Sequence, residues 1–430
     1  MALQQNVSAC CYQNTSFIIT DAFIRNPTLN SRASAFKICY FPASCFHETN
    51  NYIWNLVFIY PFVYSLSMKK VILLTTIVAA FASCKKEMNT VAIPATASAS
   101  QNLAGAITTT KATYFDSLFT RYGGGWTGAD VGFSYKLPDG RSFWLWGDTF
   151  LDTVYPDRHR PVVPFIHNSI TLTDAAGNFT TLYGGTAENP TAYFDATEPN
   201  QLWTNCAFMR SNKQQLYVLM ANIKSTGQGG LFGFELTGNS VGVLNYPDLS
   251  IQKVATFSKG DFIDWSSCAF EDGNYVYIYG AESGKYTKFM HVSRTSRKNP
   301  FKAMEYYDGA NWVTDSSKSA RLQSGVSEQY SVFKYQNKYY LLSQEGILLS
   351  PDIYLWDAAS PVGPFSNKRK IYTTPETAGN IITYNATAHT EFIQNGQLLV
   401  GYCTNSTNGV DIYRNADYYR PYFIWVSNWQ

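Results

Sequence analysis

From about Lys111 to the C-terminus, the chain repeats one pattern of hydrophobic and polar positions five times. Each unit has a short apolar and aromatic strand, a turn rich in Asp, Asn and Gly, and a second aromatic strand. In the first unit these segments are Asp130–Tyr135, the turn Pro138–Gly140 and Ser142–Gly147. Alternating strands joined by Asp-Gly or Asn-Gly turns are typical of β-hairpins. The pattern therefore predicts five related hairpins.

The spacing of the hairpins predicts the fold. Their first strands begin at Asp130, Trp203, Trp265, Glu328 and Ala388, and a repeat of roughly 60 residues leaves room for about four strands per unit. Such a repeat is typical of β-propeller blades. We predict an all-β, five-bladed β-propeller over residues 111–430. A β-sandwich is the alternative, but sandwiches do not repeat so regularly.

A second pattern precedes the repeats. Met68-Lys69-Lys70, the apolar run Val71–Phe81 and Ala82-Ser83-Cys84 together have the order of a signal peptide, which we assign to residues 68–84. Its end resembles the lipobox of bacterial lipoproteins, which implies lipidation of Cys84. No Asp follows that cysteine, which resembles lipoproteins sent to the outer membrane. Residues 85–110, rich in Ser, Thr and Ala, are predicted to be a flexible tether.

Residues 1–67 carry few charges and have no steady periodicity. Because a signal peptide acts from the N-terminus, we predict that translation starts at Met68. Residues 1–67 are then an upstream extension, or a disordered segment. A membrane span over residues 52–66 is the rival interpretation, but it is too short and contains Pro61.

The amino-acid composition limits the classes of binding partner to be expected. Aromatic residues make up 16% of the chain and charged residues 15%, which suits short, half-buried strands. The net charge of +2 argues against a nucleic-acid surface, and no CxxC or Cys/His cluster indicates a metal. We expect an exported, periplasmic or cell-surface monomer that binds a polysaccharide or oligosaccharide. We expect it to meet the membrane only through its lipid. No cofactor is predicted, with a channel-bound calcium ion as the alternative.

The repeat register also predicts a site. The first strand of each propeller blade lines the central channel, so Asp130, Trp203, Trp265 and Glu328 form a ring, with His389 beside the fifth position. Carboxylates in a partly desolvated ring acquire shifted pKa values suited to acid/base chemistry. Aromatic faces pack against the apolar faces of sugar rings. The ring therefore predicts a carbohydrate site.

The motif order resembles that of the five-bladed glycosidases of family 43, arabinanases and xylosidases among them. This resemblance implies that Asp130 is the catalytic base. It implies that Glu328, followed by the strand Tyr339-Tyr340-Leu341, is the acid. Asp264 would tune the pKa of the acid, and His389 would be the channel histidine. The chain departs from the family because Asp264 is displaced and the Asp-Pro and Glu-Gly-Pro signatures are absent.

Three short motifs resemble a second family more closely than they resemble family 43. Gly128-Ala129-Asp130, Leu145–Phe150 and His167-Asn168-Ser169 resemble a bacterial propeller family long of unknown function, some of whose members are endo-acting D-arabinan hydrolases. That resemblance implies that Asp130 and Asp148 are the catalytic pair. The two resemblances agree on Asp130 and differ on its partner.

Two function classes follow. The first is a glycoside hydrolase acting on an arabinan- or xylan-type polysaccharide, inverting if Asp130 acts with Glu328 across the funnel. The second is a non-catalytic glycan-binding lipoprotein on the same scaffold. Arg158 lies in a blade-one loop, where it either rims the cleft and binds an anionic group or is an ordinary surface residue.

Overall fold

A computed structural model describes residues 105–196, 200–228, 233–260, 262–345 and 350–430, and three strands nearer the N-terminus. Those strands, Val7–Tyr12, Thr15–Phe23 and Ala35–Tyr40, form a separate antiparallel sheet. Whether residues 1–67 are an upstream extension stays a prediction. The predicted signal peptide with Cys84, and most of the predicted tether, lie outside the described residues. No helix among the described residues is long and apolar enough to span a membrane.

The five predicted repeats form five antiparallel sheets, which confirms the five-bladed β-propeller. Blade one consists of Trp126–Lys136, Ser142–Leu151, Ser169–Thr173 and Phe179–Leu182, and Phe165–Ile166 also pairs with its second strand. Blade two consists of Asn200–Met209, Gln215–Ser225, Phe234–Asn245 and Ile251–Lys259. Gly184–Gly185 pairs with Pro190–Thr191 in the connection between the two blades.

Blade three is the largest sheet, because a long connection adds strands at its outer side. It consists of Ile263–Asp272, Tyr275–Ser283, Lys288–Ser296, Met304–Tyr307 and Trp312–Val313, and Gln323–Val326 pairs with its third strand. A 3-10 helix, Ser316–Lys318, lies in that connection. Blade four consists of Ser331–Tyr335, Lys338–Gln344, Asp352–Ala358 and Ser366–Thr373.

Blade five joins the two ends of the propeller. Its first three strands are Ile381–Gln394, Gln397–Ser406 and Pro421–Ser427, and its outermost strand is Thr108–Lys111. Helix Asp411–Arg414 and the 3-10 helix Ala416–Tyr418 lie between its second and third strands. The propeller thus begins at residue 108, three residues inside the predicted tether.

A short helix, Thr113–Leu118, follows the closing strand and fills the seam between blades five and one. Phe115 and Phe119 are four residues apart, so their side chains lie on the same side of the helical turn, and both are buried. The Phe119 ring contacts three buried tryptophans with centroid distances of 4.8–5.4 Å: Trp126, Trp144 and Trp146. These contacts anchor the first inner strand, which carries Asp130.

Candidate active site

A bulge in the innermost strand of blade one positions Asp130. The register with the second strand shifts on both sides of Val131. Val131 and Gly132 have φ values of 76° and 70°. Positive φ is strained for a β-branched residue, and such strain and bulges concentrate at functional sites. The Asp130 carboxylate lies against Gly147, where an added methyl group would overlap it.

Two tyrosine hydroxyls contact the Asp130 carboxylate. Tyr384 of blade five donates a hydrogen bond to Oδ2 at 2.9 Å, and Tyr419 also hydrogen-bonds to it. Asn405 in turn donates to the Tyr384 hydroxyl at 3.3 Å. Burial, and next the negative charge of Asp148, raise the pKa of Asp130 to about 7, although both tyrosines oppose the shift. The surroundings of Asp130 therefore favour its protonated form relative to an exposed aspartate.

Asp148 lies on the second strand of the same blade, beside Asp130. Its Oδ1 is 3.0 Å from Nδ1 of His167, and its backbone carbonyl accepts a hydrogen bond from Tyr419 at 3.2 Å. Burial raises the pKa of Asp148, while the hydrogen bond and charge of His167 oppose that shift. His167 thus counteracts part of the effect of burial on Asp148, and the negative charge of Asp148 raises the pKa of Asp130.

A second pair of carboxylates consists of Asp264, in the first strand of blade three, and Glu328. Glu328 does not open a strand as predicted, because it lies in the bend before blade four, which begins at Ser331. Asp264 is buried and accepts hydrogen bonds from Nδ2 of Asn239 at 2.6 Å and from the backbone N–H of Ser266 at 3.0 Å. Burial, and next the charge of Glu328, raise the pKa of Asp264 to about 6. Glu328 is 43% exposed and forms an ion pair with Lys288. Asp264 therefore lies close enough to Glu328 for the charge of Glu328 to raise its pKa. The role of Asp264 in tuning the acid stays a prediction.

A chain of hydrogen-bonded side chains connects blades two and three with the segment before blade four. It is not predicted from the sequence. The Gln329 side chain donates to Oδ1 of Asn205, and Nδ2 of Asn205 donates to the Ser266 hydroxyl at 2.6 Å. That hydroxyl donates to Asp264. Asn205 lies at a register shift in the strand of blade two. A polar residue within that apolar strand was the only sequence signal for it.

The two predicted tryptophan platforms differ in exposure. Trp265 is 1% exposed and packs against Tyr306 with a centroid distance of 5.2 Å. Its predicted contact with sugar is therefore wrong, because neither ring face is open to a ligand. Trp203 is half-buried and contacts Phe234, whose own ring is exposed, at 4.6 Å. Trp203 therefore remains a candidate for stacking against a sugar ring.

The predicted role of His389 as a channel histidine is also wrong. Its ring is 1% exposed and lies between Trp144 of blade one and Phe423 of blade five, with centroid distances of 5.2 and 5.5 Å. Its Nδ1 is 2.5 Å from the Ser134 hydroxyl. Burial lowers the pKa of His389 to about 3. It is a neutral residue of the interblade core.

Arg158 binds protein groups, and the prediction that it binds an anionic ligand is wrong. Its Nε and Nη2 donate to Oδ1 of Asp417 at 3.1 and 3.0 Å, and Nη1 donates to the Arg121 carbonyl at 2.9 Å. Its own carbonyl accepts from the backbone N–H of Ala416 at 2.8 Å. Arg158 therefore fixes the blade-five loop that presents Tyr419 to the two aspartates.

The hydrogen bond from Tyr384 gives a first testable prediction. In Tyr384→Phe the ionised form of Asp130 loses a donor, so the pKa of Asp130 is expected to rise above 7 by about one pH unit. Carboxyl-carbon NMR titration measures this directly. Tyr418→Phe, at an exposed tyrosine next to Tyr419 in the chain, is the control. An unchanged titration midpoint in the Tyr384 variant would contradict the contact.

No curated protein matches the sequence of this chain. A proposed hydrolase from Bacteroides ovatus has the same fold, with a TM-score of 0.64, 21% identity, and coverage of 75% of this chain and 91% of that chain. The predicted resemblance to five-bladed propeller hydrolases is thereby confirmed at the level of fold.

Two glycosidase structures align with lower scores. An endo-1,4-β-xylanase from Bacteroides thetaiotaomicron has a TM-score of 0.43 and 11% identity, over 70% of this chain and 90% of that chain. A family-43 enzyme from Xanthomonas citri, in complex with xylose, has a TM-score of 0.41 and 12% identity, over 69% and 86%. The model of a domain of unknown function, DUF5005, matches residues 112–429. The chain therefore belongs to the DUF5005 family.

Proposed function

We propose that the protein is a glycoside hydrolase whose catalytic carboxylates are Asp130 and Asp148. The observation that carries this proposal is the placement of two carboxyl groups side by side on paired strands, with a tyrosine hydroxyl hydrogen-bonded to Asp130 and His167 hydrogen-bonded to Asp148. Two carboxyl groups whose environments drive their pKa values apart provide an acid and a base at the same pH. Asp130 has the pKa of about 7 that a general acid needs at neutral pH. Asp148 has His167 beside it to favour its ionised form.

The position of the pair on one hairpin favours a retaining mechanism. Ala129 pairs with Thr149, so Asp130 and Asp148 are cross-strand neighbours. The Cβ atoms of such neighbours lie about 4.5–5.5 Å apart, which is compatible with the roughly 5–5.5 Å carboxyl separation of retaining enzymes. Asp130 protonates the leaving oxygen as Asp148 attacks the anomeric carbon, so the glycosidic bond breaks and an ester bond to Asp148 forms. Asp130 then removes a proton from water, which attacks the same carbon and releases Asp148. The hydroxyls of Tyr384 and Tyr419 hold Asp130 in place during both steps.

The experiment that tests this proposal is hydrolysis of a panel of arabinans, including D-arabinan, and xylans, with the first-formed anomer identified by proton NMR. We expect one of these polysaccharides to be cleaved with retention. Inversion would remove Asp148 as the nucleophile and favour the wider pair of Asp130 and Glu328. If lipidation of Cys84 occurs as predicted, this activity would take place at the outer membrane.

A non-catalytic glycan-binding protein is the second candidate. The ion pair between Glu328 and Lys288 favours it, because the carboxyl group that corresponds to the family-43 acid is engaged by a protein cation. The half-buried Trp203 beside exposed Phe234 would supply an aromatic surface for a sugar. Binding to a polysaccharide of the panel without hydrolysis would support this candidate and contradict the first.

A further inference from the structure

A cleft of about 210 Å³ opens beside Asp148, between blades one and two. One wall contains Phe165 and His167, and the other contains Asp195, Asn200 and Gln201. His167 connects the cleft to the proposed catalytic pair, because it lines the cleft and also contacts the Asp148 carboxylate at 3.0 Å. A ligand in the cleft therefore lies one side chain away from the proposed nucleophile.

The buried side chain of Asn168 builds the far wall. Its Nδ2 donates to the carbonyls of Phe194 and Leu202 at 2.9 and 2.7 Å, and its Oδ1 accepts from the backbone N–H of Phe194 at 2.8 Å. These bonds hold the segment before blade two and the first strand of that blade against blade one. These bonds therefore fix two positions of the wall, Phe194 and Leu202, and the motif His167-Asn168-Ser169 connects that wall to Asp148.

The near wall has a rigid aromatic surface. The Phe165 ring is 43% exposed, and its buried side contacts Phe150 and Tyr419 with centroid distances of 4.6 and 6.4 Å. A fixed aromatic face opposite amide and carboxylate groups suits a sugar ring, which has an apolar C–H face and hydroxyls at its edge. The volume is below the roughly 300–1,000 Å³ of sites for drug-sized ligands, which suits a single sugar residue.

We propose that this cleft is a subsite for one neutral sugar residue of the substrate, next to the bond cleaved at Asp148. The proposal rests on the proposed function for the position of the cleaved bond. Phe165 stacks on the sugar ring, and Asn200 and Gln201 bind its hydroxyls. The exposed carboxylate of Asp195 repels an anionic sugar, so the subsite selects neutral pentose or hexose residues over uronic acids.

Calorimetric titration of the full chain carrying Asp148→Asn separates binding from turnover. The probes are arabinotriose, xylotriose and trigalacturonic acid. We expect one of the neutral trisaccharides to bind and the acidic one not to bind. Adding Phe165→Ala is expected to weaken binding roughly 2- to 10-fold, the contribution of one aromatic contact. Adding Phe262→Ala, which removes a ring that is 88% exposed just before the first strand of blade three, is the matched control and should leave binding unchanged.

The outcomes distinguish this proposal from the proposed function. In one outcome the parent chain cleaves no polysaccharide, but trisaccharide binding is weakened by Phe165→Ala. This result would support the subsite and overturn the hydrolase proposal. In another outcome the parent chain hydrolyses a polysaccharide, but the Phe165→Ala variant binds the trisaccharide as tightly as the Phe262→Ala control. This result would overturn the subsite alone. Failure of both neutral trisaccharides to bind, or preferential binding of the acidic one, would also overturn the subsite.

Discussion

Replacement of Asp148 by Asn is expected to lower kcat about 10³- to 10⁴-fold on the polysaccharide that the parent chain cleaves. An amide has nearly the same shape as a carboxylate and still contacts His167, but it forms no ester with the sugar. The lost negative charge also lowers the pKa of Asp130, since that charge raises it in the parent protein. The alkaline limb of the residual activity, which requires protonated Asp130, is therefore expected to move to lower pH. Initial rates measured across pH test both effects.

Glu328→Gln is the matched comparison, because it makes the same chemical change in the rival carboxylate. It breaks the ion pair with Lys288 and leaves Asp130 and Asp148 intact. We expect kcat within a few-fold of the parent value. Loss of activity in Glu328→Gln together with an active Asp148→Asn would assign the acid to blade four and contradict the proposed pair. Thermal unfolding of both variants establishes that each is folded.

Replacement of Phe119 by Ala is expected to lower the free energy of unfolding by about 3–5 kcal/mol. The ring is fully buried, and its removal leaves a cavity bordered by Trp126, Trp144 and Trp146 at the seam between blades five and one. Urea unfolding followed by tryptophan fluorescence measures the change. Phe262→Ala, at an exposed ring, is expected to change stability by less than about 0.5 kcal/mol. A loss below about 1 kcal/mol in Phe119→Ala would mean that the seam repacks around the missing ring.

The five hairpins could be predicted from the sequence because their signals are local. Alternation within a strand and an Asn-Gly or Asp-Gly turn are encoded in about fifteen consecutive residues. The closing strand Thr108–Lys111 has no such signal. Its four residues pair with Pro421–Ser427 at the other end of the chain. Because they adjoin Ser- and Thr-rich sequence, three of them are predicted to belong to the tether. Pairing between distant segments leaves no trace in a single sequence.

The candidate site could be predicted only in part, because β-bulges decide which face each side chain occupies. Asp130 itself lies next to a bulge at Val131, which the repeat register does not predict. The repeat register predicts Trp265 and His389 in the channel, yet register shifts occur between Asp264 and Cys268 and between Tyr384 and Thr387. One extra residue in a strand moves the following side chains to the opposite face. Alternation read from the sequence therefore fails at these bulges.

The closing strand of blade five also determines when the ring can be completed during synthesis. Directly beside it, the Asp116 carboxylate accepts a hydrogen bond from the backbone N–H of Phe423, a residue 307 positions later in the chain. Blades one to four are each built from continuous sequence, so each can form while the ribosome is still translating the next. The ring itself stays open until the last strand has emerged, and contacts of such long range fold slowly. Until that moment the two edges of the seam are exposed sheet surfaces that invite pairing with other chains.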